Sequence, residues 1–289
     1  MSIVVAPSHH LDPLPRVMLG VSEAELDTIR SLMAVWSQKY RRNTLRSVYF
    51  DGKAKPDLAG IIPEEAFHRV HAVLGWPAKA VTDLAERSVF EGFTSEDGSR
   101  DPFELRAILD DNRFDLELPQ AITSAYKHSC SFITTALGDT RSGDPEVVIM
   151  ARSAEWSSGL WDKRRRAVKA ALTIVDTDDE GRPSVMDVWL PEAVLTCRRR
   201  PSGSWVAERR QNPLGEVLVE PISYDPQLDR PFGRSRISRS VMDITDRALR
   251  TIMRAEVAAE FLRDPVGHPQ RQFQVVGAQH HRQLLVAGQ

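Results

Sequence analysis

The stretch from Gly138 to Gly143 has the two-glycine spacing of a phosphate-binding loop. In that motif a lysine follows the second glycine and reaches the β- and γ-phosphates of a nucleotide. Here the next residue is Asp144, whose carboxylate would repel a phosphate. The stretch therefore predicts a β-turn, and we expect no nucleotide cofactor.

His68 and His71 stand three residues apart in a predicted helix, a spacing that could place both imidazoles on one metal ion. No Asp, Glu or Cys at motif distance completes such a site, and the His-Glu-x-x-His sequence of zinc hydrolases is absent. We therefore expect no metal site, and a metal hydrolase built on these two histidines is a third alternative for the function.

Two other sets of residues could act as acids, bases or nucleophiles. The carboxylate pairs Asp110-Asp111 and Asp178-Asp179 are adjacent in sequence, and neighbouring side chains rarely converge on one substrate atom. Cys130 and Cys197 lie in no nucleophile signature, and Gly-x-Ser-x-Gly is absent. Two cysteines are also too few for a disulfide framework, which favours a reduced, intracellular setting. The sequence therefore predicts no catalytic residues and a protein that is not an enzyme.

Two basic clusters, Lys163–Arg166 and Arg198–Arg200, could contact a polyanion. Trp156 and Trp161 lie beside the first, and aromatic residues next to basic ones are typical of nucleic-acid sites. Acidic blocks balance these clusters: residues 96–117 carry eight acids against three arginines, and the formal net charge is −2. Blocks of both signs favour pairing between subunits at least as well. A nucleic-acid-binding or -processing protein that uses the arginine clusters stays open as the alternative.

The N-terminal part of the chain, up to about residue 128, is predicted to be helical. A capping box at Ser22 and Glu25 starts the first helix, which is predicted to end near Asn43. Tyr49–Gly52 then predicts a short extended segment and a turn. The buried stripe of the first helix comprises Leu26, Ile29, Met33, Trp36 and Tyr40. Further helices are predicted over residues 63–74 and 78–87, from Asp101 with Phe103 on its apolar face, and from Pro119.

The pattern changes near Ser129 to short β-type runs separated by Gly, Asp and Pro. These runs are residues 132–135, 146–150, 171–175, 185–190, 193–198, 205–210 and 217–223. Pro201–Ser204 predicts a hairpin turn, and the series indicates an antiparallel-leaning sheet. No apolar run approaches the ~18 residues of a membrane span.

A long helix is predicted from about Arg234 to Arg263, with a nearly heptad apolar seam. The seam comprises Ile237, Val241, Ile244, Ala248, Ile252, Ala255, Ala259 and Leu262. Three ion pairs at i,i+4 spacing are predicted on its solvent-exposed side: Arg239–Asp243, Asp243–Arg247 and Asp246–Arg250. The fold class is α+β: a helical N-terminal part, a β-rich middle and a long C-terminal helix.

Several segments together resemble tailed-bacteriophage portal proteins of the siphophage type, particularly those of actinobacterial phages. The resemblance is carried by the order of the segments over about residues 20–263. These segments are Tyr40–Arg42, Tyr49–Gly52, Trp76–Arg87, Ser88–Phe93, Ser131–Ile133, Trp161–Ile174, Asn212–Val219 and Phe232–Ile237. The strongest match is Phe232–Ile237, where Gly233 permits a tight entry and Ser235 can cap the long helix.

The resemblance implies the wing-like region of a portal, and the sequence pattern predicts a loose leader before it and a disordered tail after it, so the chain is divided into five parts. These are a flexible leader at 1–20, a helical part at 21–128, a β-rich part at 129–225, a long helix leading toward the stem at 226–264, and a disordered tail at 265–289. Portals of this family continue through stem, clip and crown segments, so the resemblance also implies a C-terminally truncated chain. Such a chain is a truncated, frame-shifted or prophage-decayed portal, or a fragment whose remainder is encoded downstream.

The family resemblance further implies a structural virion protein that forms a homo-oligomeric ring, a dodecamer in the family, at one capsid vertex. Its implied partners are the terminase large subunit, the scaffold or major capsid protein, the head–tail connector, and double-stranded DNA passing through the channel, with no membrane. The implied location is the virion, after assembly in the bacterial host cytoplasm. A channel through which DNA slides should not grip phosphates tightly, which agrees with the near-neutral charge.

Overall fold

The computed structural model describes residues 15, 17–55, 72–96, 98 and 101–263. The chain divides into two compact units, residues 1–57 with 73–250 and residues 58–72 with 251–289. The helices are α1 (Glu23–Phe50), α2 (Trp76–Ala85), α3 (Leu105–Asp111), α4 (Phe114–His128) and α5 (Arg239–Arg263). The strands are β1 (Met18–Leu19), β2 (Cys130–Leu137), β3 (Val147–Ser153), β4 (Ser157–Asp162), β5 (Ala167–Thr177), β6 (Pro183–Trp189), β7 (Ala193–Arg199), β8 (Trp205–Gln211) and β9 (Val219–Ser223). The predicted helix at 63–74 and the predicted tail at 265–289 lie outside the described residues.

Two sheets form the β-rich part of the first unit. A six-stranded sheet has the order β1-β8-β7-β6-β5-β4, and a three-stranded sheet has the order β3-β2-β9. Every pairing is antiparallel except that of β1 with β8. The α+β class, the antiparallel character and the hairpin turn at Pro201–Ser204 are confirmed. Strand β4 was not predicted, because its first residues, Ser-Ser-Gly, have low β-propensity.

The six-stranded sheet has an apolar core on each face. Alternate residues of β5, β6 and β7 point to opposite faces because side chains in a strand have a period of two. One face packs on α1 through Leu172, Met186 and Leu195, which are fully buried. The other face packs with the three-stranded sheet through Ala171 and Trp189. The sheet is thus the layer on which both α1 and the three-stranded sheet are positioned.

Met18 and Leu19, which the sequence analysis assigned to a flexible leader, form β1. Met18 is buried and pairs with Trp205 of β8. A two-residue strand has almost no sequence pattern of its own, so only the available edge of β8 defines it. The leader assignment for residues 18–19 is therefore corrected, whereas residues 1–14 lie outside the described chain.

Helix α1 begins at the predicted capping box, with the Ser22 amide 2.8 Å from a carboxylate oxygen of Glu25. Its predicted end near Asn43 is wrong, because the helix continues to Phe50 and only Asp51-Gly52 forms the turn. Asn43 and Tyr49 continue the buried stripe as polar residues that have hydrogen-bond partners. A stripe that changes from apolar to polar looks like a helix end in the sequence, although the backbone continues unbroken.

The region before β2 also differs from the prediction. Pro119 lies inside α4, which begins five residues earlier at Phe114, where the Phe114 ring meets that of Phe90 at 5.6 Å. Phe103 was predicted on an apolar helix face, but it lies in a one-turn 3₁₀ segment before α3 with its side chain 92% exposed. Phe103 has a φ of 59°, which interrupts the helical backbone and turns the side chain outward.

The approach to α5 is tight at Gly233, as predicted: its φ is +68°, and a Cβ there would lie 2.0 Å from the carbonyl oxygen of Tyr224. The helix begins at Arg239, five residues after the predicted start, and Ser238 Oγ accepts from the Val241 amide at 3.3 Å. Ser235 does not cap it, because its hydroxyl oxygen accepts from the Ile237 amide at 3.0 Å, two residues before the helix begins. The same hydroxyl donates to the carbonyl of Lys127 at 2.6 Å.

Within the first unit, the buried face of α5 is not the predicted seam. Ile244 is exposed, whereas Thr245, Asp246 and Leu249 are buried. The predicted wet-side pair of Asp246 with Arg250 is therefore wrong, while the Asp243–Arg247 pair forms at 2.9 Å. In the second unit α5 continues from Thr251 to Arg263.

Candidate assembly surfaces and the polar anchor of the first helix

The first basic cluster forms the tip of the β4–β5 hairpin, and we call Lys163–Arg166 the basic turn. All four side chains are exposed. The Asp162 carboxylate accepts hydrogen bonds from the amides of Arg164 and Arg165, at 2.8 and 3.1 Å. The bond from the Arg165 amide, followed by that from Arg164, lowers the pKa of Asp162. The Asp162 carboxylate thus fixes the backbone of the turn, whose four basic side chains are exposed to solvent.

The second cluster, Arg198–Arg200, is partly neutralised within the chain. Arg199 lies 3.4 Å from Asp178, which also receives the Arg182 side chain at 2.8 Å. Burial acts to raise the pKa of Asp178, but hydrogen bonds from the Arg182 amide and guanidinium bring it below its usual range. Asp178 is therefore the centre of an ion-pair network.

The two clusters lie at opposite ends of the six-stranded sheet. Ala167 adjoins the basic turn, whereas Asp176 of β5 is level with Val185, which pairs with Arg198. Ala167 and Asp176 are nine residues apart on β5, roughly 30 Å at ~3.3 Å per residue. The arginine clusters therefore do not form one continuous patch for a nucleic acid.

The stretch from Gly138 to Gly143 is a turn between β2 and β3, as predicted. Asp139 accepts from the Arg141 amide at 3.1 Å and from the Ser142 hydroxyl at 2.8 Å. A phosphate loop needs its amides to point at the ligand. Here a carboxylate of the turn itself occupies that position, so the turn closes on its own side chain.

A polar cluster fixes the second half of α1 to the rest of the first unit. Asn43 Nδ2 donates to the carbonyl of Ala154 at 2.7 Å. Arg46 Nη1 donates to the carbonyl of His128 at 2.6 Å and to Asn43 Oδ1 at 3.2 Å. Ser47 Oγ donates to a carboxylate oxygen of Glu155 at 2.6 Å. We call Asn43, Arg46, Ser47, His128 and Glu155 the polar anchor.

The charges of the polar anchor follow from its burial. Desolvation lowers the pKa of Arg46 to about 10, so the guanidinium stays charged at neutral pH. Desolvation, with smaller contributions from Lys127 and Arg46, lowers the pKa of His128 to about 3. His128 Nε2 lies 3.6 Å from Glu155, but the neutral imidazole forms no ion pair with it. The anchor is a set of structural contacts rather than an acid–base pair.

Helix α1 also holds α5 through one buried contact in the first unit. The Tyr49 hydroxyl lies 2.8 Å from both carboxylate oxygens of Asp246. Burial, and then the hydrogen bond to Asp246, raises the pKa of the Tyr49 phenol, so it remains a donor. This pair was not predicted from the sequence, because the position of Asp246 also fits a charged, solvent-exposed helix face. The one indication in the sequence was that Tyr49, a polar residue, continues the buried stripe of α1.

Among the residues that the structure describes, the nucleophilic and metal-binding side chains are not gathered into a reactive site. Burial raises the pKa of Cys130 and Cys197 to about 12, so both remain thiols. In the part of the chain that the structure describes, no three His, Cys, Asp or Glu side chains form a metal-sized group. His68 and His71 lie outside that part.

Two features of the described residues complete the surface. A shallow cavity of about 320 Å³ is lined by Trp76 and Leu84 together with Lys79, Asp83 and Arg236. Across the same residues, no helix combines the length and the apolar character needed to cross a bilayer. Exposed blocks of charge are compatible with a protein that acts by binding or assembly.

Comparisons with known proteins agree with that class. The chain is 28% identical over 267 residues to the portal protein of Mycobacterium phage L5, covering 90% of this chain and 53% of that protein. It is also 28% identical over 241 residues to the portal protein of Mycobacterium phage D29, covering 81% and 48%. No family model matches the chain. The resemblance to phage portal proteins is thus confirmed, and the chain is portal-like over most of its length.

The chain spans about half the length of the curated relatives it matches. Helices α1 to α5 and strands β2 to β9 lie between residues 20 and 263, the range that carried the resemblance in the sequence.

Proposed function

We propose that this chain is a structural component of a tailed-phage particle that assembles with copies of itself into a portal ring at one capsid vertex. The observation that carries the proposal is the similarity to the L5 portal protein over 90% of this chain. The absence of reactive groupings among the described residues is compatible with a role that depends on assembly.

The same proposal assigns the partners of the ring. Double-stranded DNA would pass through the channel, and the terminase large subunit, the scaffold or major capsid protein and the head–tail connector would dock on the ring. The ring would be a dodecamer, assembled in the host cytoplasm and carried in the virion. These assignments rest on the likeness to proteins named as portals.

The alternative of a nucleic-acid-binding protein built on both arginine clusters has less support. The clusters lie at opposite ends of one sheet, and Arg199 is paired with Asp178. Contact with DNA through the basic turn alone is one outcome of the experiment described in the next subsection.

Native mass spectrometry and negative-stain imaging of the purified chain, over a range of concentrations, test the proposal. We expect closed rings with a single dominant subunit number. A chain that stays monomeric at every concentration, or stops at a dimer, would contradict it. An antibody raised against the chain should in addition label a single vertex of the phage particle; labelling spread over the shell would contradict the vertex assignment.

A further inference from the structure

Four exposed apolar side chains lie in the segments that lead to α4 and in its first turn. Phe90 and Phe93 are 41% and 46% exposed, and their rings stack edge-on at 5.2 Å. Leu116, in the first turn of α4, is 55% exposed, and Phe103 is 92% exposed. Large exposed apolar side chains, two of them in ring contact, indicate a part of the surface that can bind a partner. We call this set of residues the apolar face.

Acidic residues accompany the apolar face. Glu104, Asp110, Asp111 and Asp115 are exposed, and none forms an ion pair with another described residue. Residues 101–115 carry five acids against two arginines. A partner of this surface must therefore offer apolar contact at its centre and positive charge at its margin.

The basic turn offers the positive charge of that complement on a different part of the molecule. Lys163, Arg164 and Arg166 are exposed and have no ion pair in the described chain, and Trp161 is half-buried beside them. The turn lies at the β4 edge of the six-stranded sheet. The acidic residues instead border β3, since Asn112 bonds Val147 and Ile149 of that strand, both at 2.7 Å.

A closed ring is built from a heterologous contact, in which one surface of each copy meets a different surface of the next. We propose that the apolar face with its acidic margin docks on the basic turn of a second copy of this chain. This inference rests on the proposed ring and identifies the surfaces that would join its subunits. If the basic turn bound duplex DNA, the apolar face and its acidic residues would still have no partner. A second copy of the chain gives a partner to the basic turn and to the acidic residues, so it explains more of the exposed features.

Charge reversal tests the pairing in three variants of the full chain: R164E/R166E, D110K/D111K, and the two together. We expect each double variant to weaken self-association by at least about tenfold and the combined variant to restore it to within a few-fold, because steering depends on opposite charges. Sedimentation velocity at about 50 and about 500 mM salt measures this, and the difference between wild type and variants should shrink at high salt. The matched control is R198E/R200E, at the opposite end of the sheet, which should assemble like wild type.

The outcomes separate this inference from the proposed function. Wild-type rings that are unaffected by both reversals would overturn the interface and leave the ring standing. Equal loss in R198E/R200E, or no recovery in the combined variant, would also overturn the interface. A wild-type chain that never self-associates would overturn the ring and the interface together.

Binding of a fluorescent DNA duplex to the same variants gives a separate arm. We expect the R164E/R166E change to alter assembly far more than DNA affinity. If it abolishes DNA binding and leaves assembly unchanged, the basic turn is a DNA contact and the proposed interface is wrong.

A substitution at the most exposed residue of the apolar face provides a test that does not depend on charge. Phe103→Ser should weaken self-association while leaving the unfolding midpoint unchanged, because the side chain makes few contacts within the chain. Unaltered assembly of Phe103→Ser would remove the apolar face from the interface.

Discussion

The two halves of α1 are held in the fold by different interactions, the first by apolar packing and the second by hydrogen bonds. The first half buries Ile29, Leu32 and Trp36 against the six-stranded sheet, where they form the larger apolar core. The second half buries Asn43 and Tyr49, and these two residues together with Arg46 bond to groups from three other segments. Apolar burial is roughly proportional to area and indifferent to direction, whereas hydrogen bonds require partners at a set distance and angle. The first half therefore supplies stability, and the second half sets the position of α4, of the β3–β4 connection and of the start of α5.

The largest expected effect comes from breaking the apolar half. Leu32→Ala removes a side chain with no exposure and leaves a cavity under the sheet, which should lower the free energy of unfolding by about 2–5 kcal/mol. Urea titration monitored by tryptophan fluorescence measures the change. Leu214→Ala, at a side chain that is 67% exposed, is the control and should change the midpoint little. Equal effects at both positions would contradict the apolar anchoring of α1.

The second prediction breaks the polar half. Tyr49→Phe deletes the hydroxyl that bonds both oxygens of Asp246 and leaves a buried carboxylate without that donor. The free energy of unfolding should fall by about 1.5–3 kcal/mol. A double-mutant cycle with Asp246→Leu isolates the pair: Tyr49→Phe should cost much less in the Asp246→Leu background. Strictly additive losses would show that the two residues act independently.

The third prediction concerns pH. The pKa of His128 is about 3 in the folded protein against 6.5 for an ordinary histidine, so the unfolded chain binds one more proton between these values. Stability should therefore fall as pH drops below about 6.5, by up to about 1.4 kcal/mol per pH unit from this group. His128→Gln, which cannot titrate, should flatten the stability-against-pH curve relative to wild type in chemical denaturation. An unchanged slope would place the acid sensitivity elsewhere.

The smallest effect is expected at the start of the apolar half. Ser22→Ala removes the capping hydroxyl and should lower the free energy of unfolding by about 1 kcal/mol. Ser22→Gly should lose less, because glycine also suits the cap position. Chemical denaturation of the two variants gives the order, and a greater loss in Ser22→Gly than in Ser22→Ala would contradict a capping role.

Seven of the nine strands were predictable because alternation and turn residues act over only a few positions. Val185–Leu190 and Ala193–Arg198 were each placed to within two residues of β6 and β7. Strand β4 was missed because Gly159 lowers β-propensity, while in the structure its missing side chain lets the Phe132 and Phe232 rings approach. The resemblance to portal proteins was likewise available from the order of short segments.

The charged surfaces were only half predictable. Both arginine clusters and the acidic block were visible in the sequence. The sequence did not show that Arg199 is paired with Asp178, whereas Arg164 and Arg166 are exposed and form no ion pair with another described residue. Whether an arginine finds a carboxylate partner depends on which turns lie at the same end of the sheet. The order of the strands decides this, and the residues within each cluster do not.

By itself, the sequence determined the capping box of α1, the alternation of β5 to β8, the tight turn at Gly233 and the likeness to portals, since each is written in neighbouring residues or in segment order. The tertiary structure decided the partners of buried polar groups. Asn43 bonds a carbonyl 111 positions away and Tyr49 a carboxylate 197 positions away. A polar side chain is buried at low cost only where a partner meets it, and distant partners meet only after the chain has folded. For that reason Asp246, one carboxylate among many in the sequence, is the residue that fixes the start of α5 to α1.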